Sequence, residues 1–205
     1  MKIQTKHTLY IVEYFLSDIG YVSKKLCQAS PGTAVKLCLG DSLVMGSNPE
    51  TASLHMQGAS LFCVANYNVD EGVPPGKVAV MQICGDTRHC HVLHLIHSGI
   101  PQNLQLLLED PTVLKVGAGI DGDAVKVFRD YNISVKGVTD LSFHANQKLG
   151  GDHKWGLASL TEKLLSKQLK KPNKIRLGNW EAPVLSKEQL EYAATDAFAS
   201  WCLYQ

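Results

Sequence analysis

The sequence of 205 residues predicts an α/β domain built on a mixed β-sheet. The segments KVAVMQIC, from Lys77, and HVLHLI, from His91, are rich in apolar and β-branched residues, and the polar segment GDTRH separates them. This pattern predicts an antiparallel hairpin. Beyond it, the strand-like segment TVLKVGAGI is followed by segments with helical periodicity. A hairpin followed by strand–helix alternation is typical of a mixed sheet with helices packed on it.

Composition is that of a globular protein with one core. Hydrophobic residues make up 45% of the chain and charged residues 19%, and the formal net charge of +1 favours no class of partner. Six cysteines are scattered without a C-x-x-C pair, which argues against a disulfide framework and for a reducing compartment. No apolar run reaches the length of a membrane span, so we expect a soluble intracellular protein.

The first third of the chain has the weakest patterns. Residues 10–15 fit either a strand or a short helix, residues 29–32 (ASPG) predict a turn, and residues 46–60 predict a loop. The apolar run Leu61–Val64 predicts a buried strand, which the Pro-Pro-Gly segment at 74–76 follows. We therefore expect a divergent N-terminal segment over residues 1–60 and the folded domain over residues 61–205.

Helices alternate with short strands after the hairpin. Pro101 at the first turn of PQNLQLLLED predicts a helix. A second helix is predicted over Gly122–Tyr131 and a short strand near Val135–Val138. Two further helices are predicted over Asp140–Leu149 and Leu157–Ser166.

The last helix, predicted over Ser186–Tyr204, is the strongest local signal. Ser186 and Gln189 form an S-x-x-Q capping box at its start. Tyr192 and Asp196 lie four residues apart and therefore on one face of the helix, where a phenol and a carboxylate could hold a metal-bound water. The alternative is an ordinary amphipathic helix with a half-exposed tyrosine and a solvated aspartate. An apolar stripe lies beside this pair: Leu190, Ala193, Ala194, Ala197 and Trp201.

A cluster of histidines around Cys90 suggests a zinc site, but its spacing argues against one. His89 and His91 alternate along a predicted strand, whereas His94 and His97 break that phase. No second cluster completes a tetrahedral ligand set. We therefore expect no metal at this cluster.

The segment Gly117–Gly122 matches the dinucleotide-binding pattern G-x-G-x-x-G, and Asp140 lies near the spacing of a ribose-binding acid. However, Asp121 and Asp123 flank the last glycine, where a pyrophosphate would meet the helix N-terminus and be repelled. We therefore expect no dinucleotide. A carboxylate at a strand-to-helix junction suits a cation instead, so Asp123 is a candidate Mg²⁺ ligand.

A basic segment precedes the last helix and carries no acidic residue. Such a run is either a solvated face or a surface that contacts phosphate groups, and the sequence leaves both possibilities open. The six basic residues are Lys163, Lys167, Lys170, Lys171, Lys174 and Arg176.

The ordered motifs of the second part of the chain resemble those of a known enzyme family. The segments DPTVLKVGAGI, GDAVKVFRDY, KPNKIRLGNW and LSKEQLEYAATDAFASWCLY are similar to the 3′–5′ exonuclease domain of the ribonuclease D and Werner-syndrome exonuclease type, in particular to stand-alone plant members. The resemblance extends from about Gly72 to Gln205. It implies a ribonuclease H-like mixed sheet flanked by helices, and residence in the nucleus.

The same resemblance implies the chemistry of a nuclease. Two divalent ions, Mg²⁺ or Mn²⁺, held by four acidic residues, would direct water onto the terminal phosphodiester at the 3′ end of DNA or RNA. By position, Asp123 and Asp196 match two of the metal-binding acids. Tyr192 matches the tyrosine that orients and helps activate the attacking water.

The other two acids are missing. The resemblance places an Asp-x-Glu motif near residues 62–67, which read FCVANY. Asp70 and Glu71 are adjacent, so on a strand they would point to opposite faces. Two carboxylates leave about two positive charges of a pair of Mg²⁺ ions uncompensated, which predicts a weak or inactive nuclease.

The alternative is a catalytically dead protein that binds nucleic acid. In that interpretation the basic run and the pair Lys154 and Trp155 contact backbone phosphate and a base. Its binding residues would be Lys154, Trp155, Lys170, Lys171, Lys174 and Arg176. The sequence does not indicate an oligomeric state.

Overall fold

The described part of the chain forms one mixed sheet with helices on both faces. The computed structural model describes residues 9–17, 20–29, 59–65, 76–85, 89–170 and 172–205, and for the first three ranges and His89 it describes the backbone alone. Among these residues the sheet has seven strands in the order β2-β1-β5-β4-β3-β6-β7. The strands are β1 (Leu9–Ser17), β2 (Gly20–Ala29), β3 (Ala59–Ala65), β4 (Val78–Cys84), β5 (His89–Leu93), β6 (Lys115–Gly117) and β7 (Val138–Asp140).

The pairing of β3 makes the sheet mixed, which confirms the predicted class. β3 pairs antiparallel with β4 on one side and parallel with β6 on the other. β4 and β5 form the predicted antiparallel hairpin, and β1 pairs with β5 beyond it. The helices are α1 (Leu95–Ser98), α2 (Gln102–Glu109), α3 (Ile120–Tyr131), α4 (Leu141–Leu149), α5 (Leu157–Leu165), α6 (Asn173–Arg176) and α7 (Lys187–Tyr204).

Several predicted boundaries move in the N-terminal half. Residues 10–15 belong to a strand and not to a helix, and the predicted loop over 46–60 is wrong at its end because β3 begins at Ala59. In HVLHLI the strand ends at Leu93 and a short helix begins at Leu95. The predicted turn at 29–32 and the break at 74–76 lie largely outside the described residues.

Glycine conformations explain two further shifts. Gly137 has φ +65°, which an extended strand does not accommodate, so β7 begins at Val138 and not at Val135. Gly119, with φ +80°, is the N-cap residue of α3, so this helix starts at Ile120, two residues before the predicted start.

The two faces of the sheet have separate cores. On one face Met81 and Ile83 pack against Leu104, Leu108 and Val127 of α2 and α3. The other face is covered by α7, which lies across β3, β4, β5 and β6. The cluster under α7 contains Val80, Cys84, Val92, Leu190, Ala193, Ala194, Ala197 and Phe198. A smaller cluster joins α4, α5 and the end of α7.

Candidate active site

The start of α7 is fixed by the predicted capping box. Ser186 Oγ accepts from the backbone N–H of Gln189 at 3.2 Å, and Gln189 Oε1 accepts from the backbone N–H of Ser186 at 2.9 Å. Gln189 Nε2 also donates to the carbonyl oxygen of Asn179 at 3.0 Å. The helix that carries the candidate residues is therefore held both at its first turn and against the preceding segment.

Tyr192 and Asp196 interact with each other one turn further along α7. Asp196 is only 3% exposed, so the alternative with a solvated aspartate is wrong. Burial raises the pKa of Tyr192 above its ordinary value, and the charge of Asp196 and a hydrogen bond to it raise it further, whereas Arg176 opposes the shift. Tyr192 is therefore a neutral phenol at physiological pH and donates to a buried carboxylate.

A buried tryptophan supports the tyrosine from behind. Trp180 is fully buried, and the centroid of its ring lies 6.1 Å from that of Tyr192. Its Nε1–H donates to the carbonyl oxygen of Arg176 at 3.2 Å. Its own carbonyl oxygen lies 2.9 Å from Nε2 of the buried His94, which therefore carries a proton. Contacts with Arg176, His94 and Tyr192 thus hold Trp180 in place.

Two histidines of the cluster around Cys90, His94 and His97, contact the segment that contains Trp180 and lie at different depths. His94 is fully buried, and this burial lowers its pKa. His97 is exposed, and its Nε2 lies 3.1 Å from the carbonyl oxygen of Glu181. The two rings stand edge to face with centroids 4.5 Å apart. Both side chains therefore bind the segment that leads to α7.

Asp123 lies in the first turn of α3, at the junction that the sequence indicated. The left-handed Gly119 that begins this helix donates its backbone N–H to Asp140 at 2.6 Å. Asp140 also accepts from the backbone N–H of Ser142 at 2.7 Å and so caps α4. Two features of the dinucleotide pattern, the glycine at 119 and the acid at 140, thus have structural roles at this junction.

The register of β3 shows which of the described residues near 62–67 lie on the side of the sheet that α7 covers. β6 pairs with Ala59 and Ser60 and then leads into α3, so β3 extends past the end of β6 at the edge of the sheet where α3 begins. Position 62 is paired with Gln82, and position 64 with Val80. Val80 lies in the cluster under α7, so these positions are on the face of the sheet that α7 covers.

The residues present do not fit the four-acid site that the resemblance implies. β3 reads ASLFCVA and contains no acidic residue. Within the part of the chain whose side chains are described, no group of three or more His, Cys, Asp or Glu side chains is arranged to hold a metal ion. Asp123 and Asp196 remain the candidate ligands, and Asp70 and Glu71 lie outside the described residues.

The candidate nucleic-acid-binding residues fall into two groups. Lys154, Lys170, Lys174 and Arg176 are exposed, and Lys171 lies outside the described residues. Trp155 is partly buried against the cluster of α4 and α5, and its Nε1–H donates to Asn146 Oδ1 at 2.9 Å. This tryptophan therefore anchors the loop before α5.

The sequence does not predict the structural roles of three residues around the site. Trp180 and His94 form the support for Tyr192, and their partners are backbone carbonyl groups that leave no sequence pattern. Gln82 is fully buried on β4 beneath α7. Its signal in the sequence is a single amide in an otherwise apolar strand, VAVMQIC.

Comparison with known proteins identifies relatives of the second part of the chain. A family model described as 3′–5′ exonuclease matches residues 72–205. Over 135 residues the chain is 67% identical to a 3′–5′ exonuclease of Arabidopsis thaliana, covering 66% of this chain and 47% of that protein. It is 39% identical over 135 residues to the bifunctional 3′–5′ exonuclease/ATP-dependent helicase WRN of Mus musculus, covering 64% and 10%. The chain thus spans about half the length of the first relative and a tenth of the second.

Solved structures confirm the predicted ribonuclease H-like fold. Escherichia coli RNase D, an exoribonuclease involved in structured RNA processing, has a TM-score of 0.64 at 18% identity over 83% of this chain and 40% of that one. Trypanosoma brucei RNase D in complex with RNA U12 has a TM-score of 0.60 at 19% identity over 72% and 55%. Brucella melitensis NrnC with bound Mg²⁺ has a TM-score of 0.57 at 21% identity over 71% and 69%.

Proposed function

Because this chain belongs to the 3′–5′ exonuclease family, we propose that it engages the 3′ end of a nucleic acid strand and hydrolyses the terminal phosphodiester weakly or not at all. The observation that carries the proposal is the residue pair at positions 62 and 64, which are Phe62 and Val64 on the strand beneath α7. Asp123, Tyr192 and Asp196 are retained. The proposal takes residues 61–205 as the exonuclease-like domain.

Charge balance supports the loss of activity. Two Mg²⁺ ions about 4 Å apart repel each other strongly unless carboxylates neutralise them. Asp123 and Asp196 provide two negative charges where four are needed. Loss of one ion removes several kcal/mol of transition-state stabilisation, which corresponds to a rate lower by about three decades or more.

The first experiment measures activity directly. The purified chain is incubated with a duplex that carries a labelled, recessed 3′ end, in Mg²⁺, in Mn²⁺ and in EDTA. We expect no shortening above that of the Asp196→Asn variant, which serves as the matched control. Stepwise shortening that requires a divalent ion and disappears in Asp196→Asn would contradict the proposed impairment.

The second experiment restores the missing charges. In Phe62→Asp/Val64→Glu the two acids occupy positions paired with Gln82 and Val80, beneath α7. In the control Cys63→Asp/Ala65→Glu the same acids occupy positions paired with Met81 and Val78, which belong to the apolar cluster on the face of the sheet opposite α7. We expect ion-dependent shortening in the first variant and none in the control. Equal activity in both variants would contradict the placement.

A second candidate function is binding without hydrolysis. The observation that favours it is the position of Arg176, whose side chain is exposed but lies near enough to Tyr192 for its charge to oppose the rise in the pKa of that phenol. The basic segment thus ends beside the candidate site, where it would contact the phosphates of a bound strand.

Residence in the nucleus belongs to the same proposal and rests on the resemblance and on the basic residues 170–176. No helix in the described residues is long and apolar enough to cross a membrane.

A further inference from the structure

The amide of Gln82 is buried without a hydrogen bond. The residue is 0% exposed, and among the residues that the structure describes neither Oε1 nor Nε2 has a hydrogen-bond partner. A buried amide without a partner loses its interactions with water and gains nothing in return, so it destabilises the fold. Every other residue of β4 is apolar and buried, and any of several apolar side chains would fill the same space without this cost.

The strand register identifies what lies opposite this amide. Gln82 is paired with position 62 of β3 on one side and with Val92 of β5 on the other. Val92 belongs to the apolar cluster under α7 and has no polar side-chain atom to offer. Position 62 is one of the two positions on the α7 face that the proposed function identifies as having lost an acid.

We propose that Gln82 is a positioning residue for a carboxylate at position 62, and that it lost its partner in this chain when that position became Phe. The inference rests on the proposed function. Directly opposed residues of an antiparallel pair have Cβ atoms about 5 Å apart, a separation that one hydrogen bond from a Gln amide to an Asp carboxylate spans. Nε2 would donate to one carboxylate oxygen and leave the other free for a cation.

A double-mutant cycle on the purified chain, without metal or substrate, tests this pairing. The four proteins are the parent chain, Gln82→Met, Phe62→Asp and the double variant, and the unfolding equilibrium is measured with urea. In the parent chain we expect Gln82→Met to lower the equilibrium constant for unfolding about tenfold, because it removes an unpaired amide. In the Phe62→Asp background we expect the same change to raise this constant about tenfold, because it removes the donor to a buried carboxylate.

The pH dependence separates positioning from packing. A donor to an ionised carboxylate lowers the pKa of that carboxylate, so the loss caused by Gln82→Met in the Phe62→Asp background should be larger at pH 7 than at pH 4. The matched control is Val64→Asp, which introduces the same charge at a position paired with Val80. There we expect Gln82→Met to retain its stabilising effect at both pH values.

Three results would overturn the inference. The first is a destabilisation by Gln82→Met that is equal in the parent and Phe62→Asp backgrounds, which would mean that the amide is bonded elsewhere. The second is a coupling to Val64→Asp as large as that to Phe62→Asp. If Phe62→Asp does not fold, Phe62→Asn replaces it, since its carbonyl oxygen accepts the same bond, and absence of coupling there is the third.

The double-mutant cycle and the nuclease assay test the two proposals separately. If Phe62→Asp/Val64→Glu gains ion-dependent nuclease activity while the cycle shows no coupling, the positioning role is wrong and the proposed function stands. If the cycle shows the opposite signs but the double-acid variant gains no activity, the pairing stands and the charge-balance account is wrong.

Discussion

Burial determines the protonation and the hydrogen bonding of the Tyr192–Asp196 pair. A carboxylate that is 3% exposed needs donors to compensate for lost water, and the phenol of Tyr192 is one of them. The pKa of this phenol is raised, so it is a donor and not a base near neutral pH. In the site as it stands, Tyr192 therefore orients the acid.

Removal of the Tyr192 hydroxyl should destabilise the protein. In Tyr192→Phe, the buried Asp196 loses one donor while the ring contact with Trp180 is kept, so we expect a decrease of about 1–2 kcal/mol in the free energy of unfolding. Urea unfolding at pH 7 measures it. The control is Tyr204→Phe on the last turn of the same helix, which should change stability by less than about 0.5 kcal/mol. Equal effects in both variants would contradict the role of the hydroxyl.

The buried Lys115 should make the free energy of unfolding depend on pH in alkaline solution. It is buried at the start of β6 and donates to the carbonyl oxygen of Asp110, and burial lowers its pKa to about 8 although the charge of Asp110 opposes the shift. Between pH 8 and the ordinary lysine value the unfolded chain binds more protons than the folded one, so the free energy of unfolding should rise with pH. Urea unfolding from pH 8 to 9.5 should show this rise in the parent chain and a smaller rise in Lys115→Met. An unchanged slope in that variant would exclude Lys115 as the source.

At the scale of elements, the segment between α6 and α7 connects the basic run to the candidate site. Trp180 anchors it beneath α7, and His94 at the end of β5 holds it through the Trp180 carbonyl oxygen. His97 binds the same segment at the surface through the carbonyl oxygen of Glu181. The position of Tyr192 therefore depends on contacts between the hairpin and a segment about 86 residues later.

This connection should weaken in acid. Burial lowers the pKa of His94, so below pH 6.5 the unfolded chain binds more protons at this residue than the folded chain does. The free energy of unfolding should therefore decrease as the pH decreases. In His94→Gln we expect lower stability at pH 7 but a flatter decline between pH 6.5 and pH 5. Urea unfolding at these pH values measures both. The exposed His97→Gln variant is the control and should keep most of the decline of the parent chain, because the charge of His97 is the smallest of the causes that shift the pKa of His94. A decline flattened as much as in His94→Gln would contradict the assignment.

The sequence predicted the elements that local chemistry determines. The capping box at Ser186, the hairpin and most helices follow from patterns within a few residues. It missed the start of β7 because Gly137 lies where a Cβ would collide with the backbone oxygens of Pro111 and Val113, a tertiary contact that leaves no local pattern. For the site, the spacing of Tyr192 and Asp196 could be read directly, but the burial of Asp196 and the pairing of Gln82 with position 62 arise from tertiary packing and register.

At the scale of the whole molecule, the seven-stranded sheet of the described residues includes a β3 strand that carries no acidic residue. β3 still pairs with both β4 and β6, and α7 still packs across all three strands. A site of this kind is assembled from side chains at strand ends and on a helix, and its ligands contribute less to folding than the apolar clusters beneath them. The weak or absent hydrolysis that we propose is therefore physically compatible with an intact fold.

Binding to single-stranded nucleic acid tests the role that remains for such a scaffold. If Lys170, Lys174 and Arg176 contact phosphates, the logarithm of the association constant should fall linearly with the logarithm of the salt concentration, with a slope of about −0.7 for each phosphate contacted. The slope is obtained from association constants measured by fluorescence anisotropy with a labelled oligonucleotide, at salt concentrations from about 50 to about 200 mM.

Substitutions distinguish this segment from a general effect of charge. Lys170→Ala and Lys174→Ala should each weaken binding and make the slope shallower by about 0.7, because each removes one counterion-releasing contact. Lys136→Ala removes the same charge from an exposed site that follows α3, and it should leave both quantities unchanged. Binding that does not depend on salt, or a control as damaging as the two variants, would contradict this interface. Because anisotropy needs no hydrolysis, the result holds whether or not the acids of β3 can be restored.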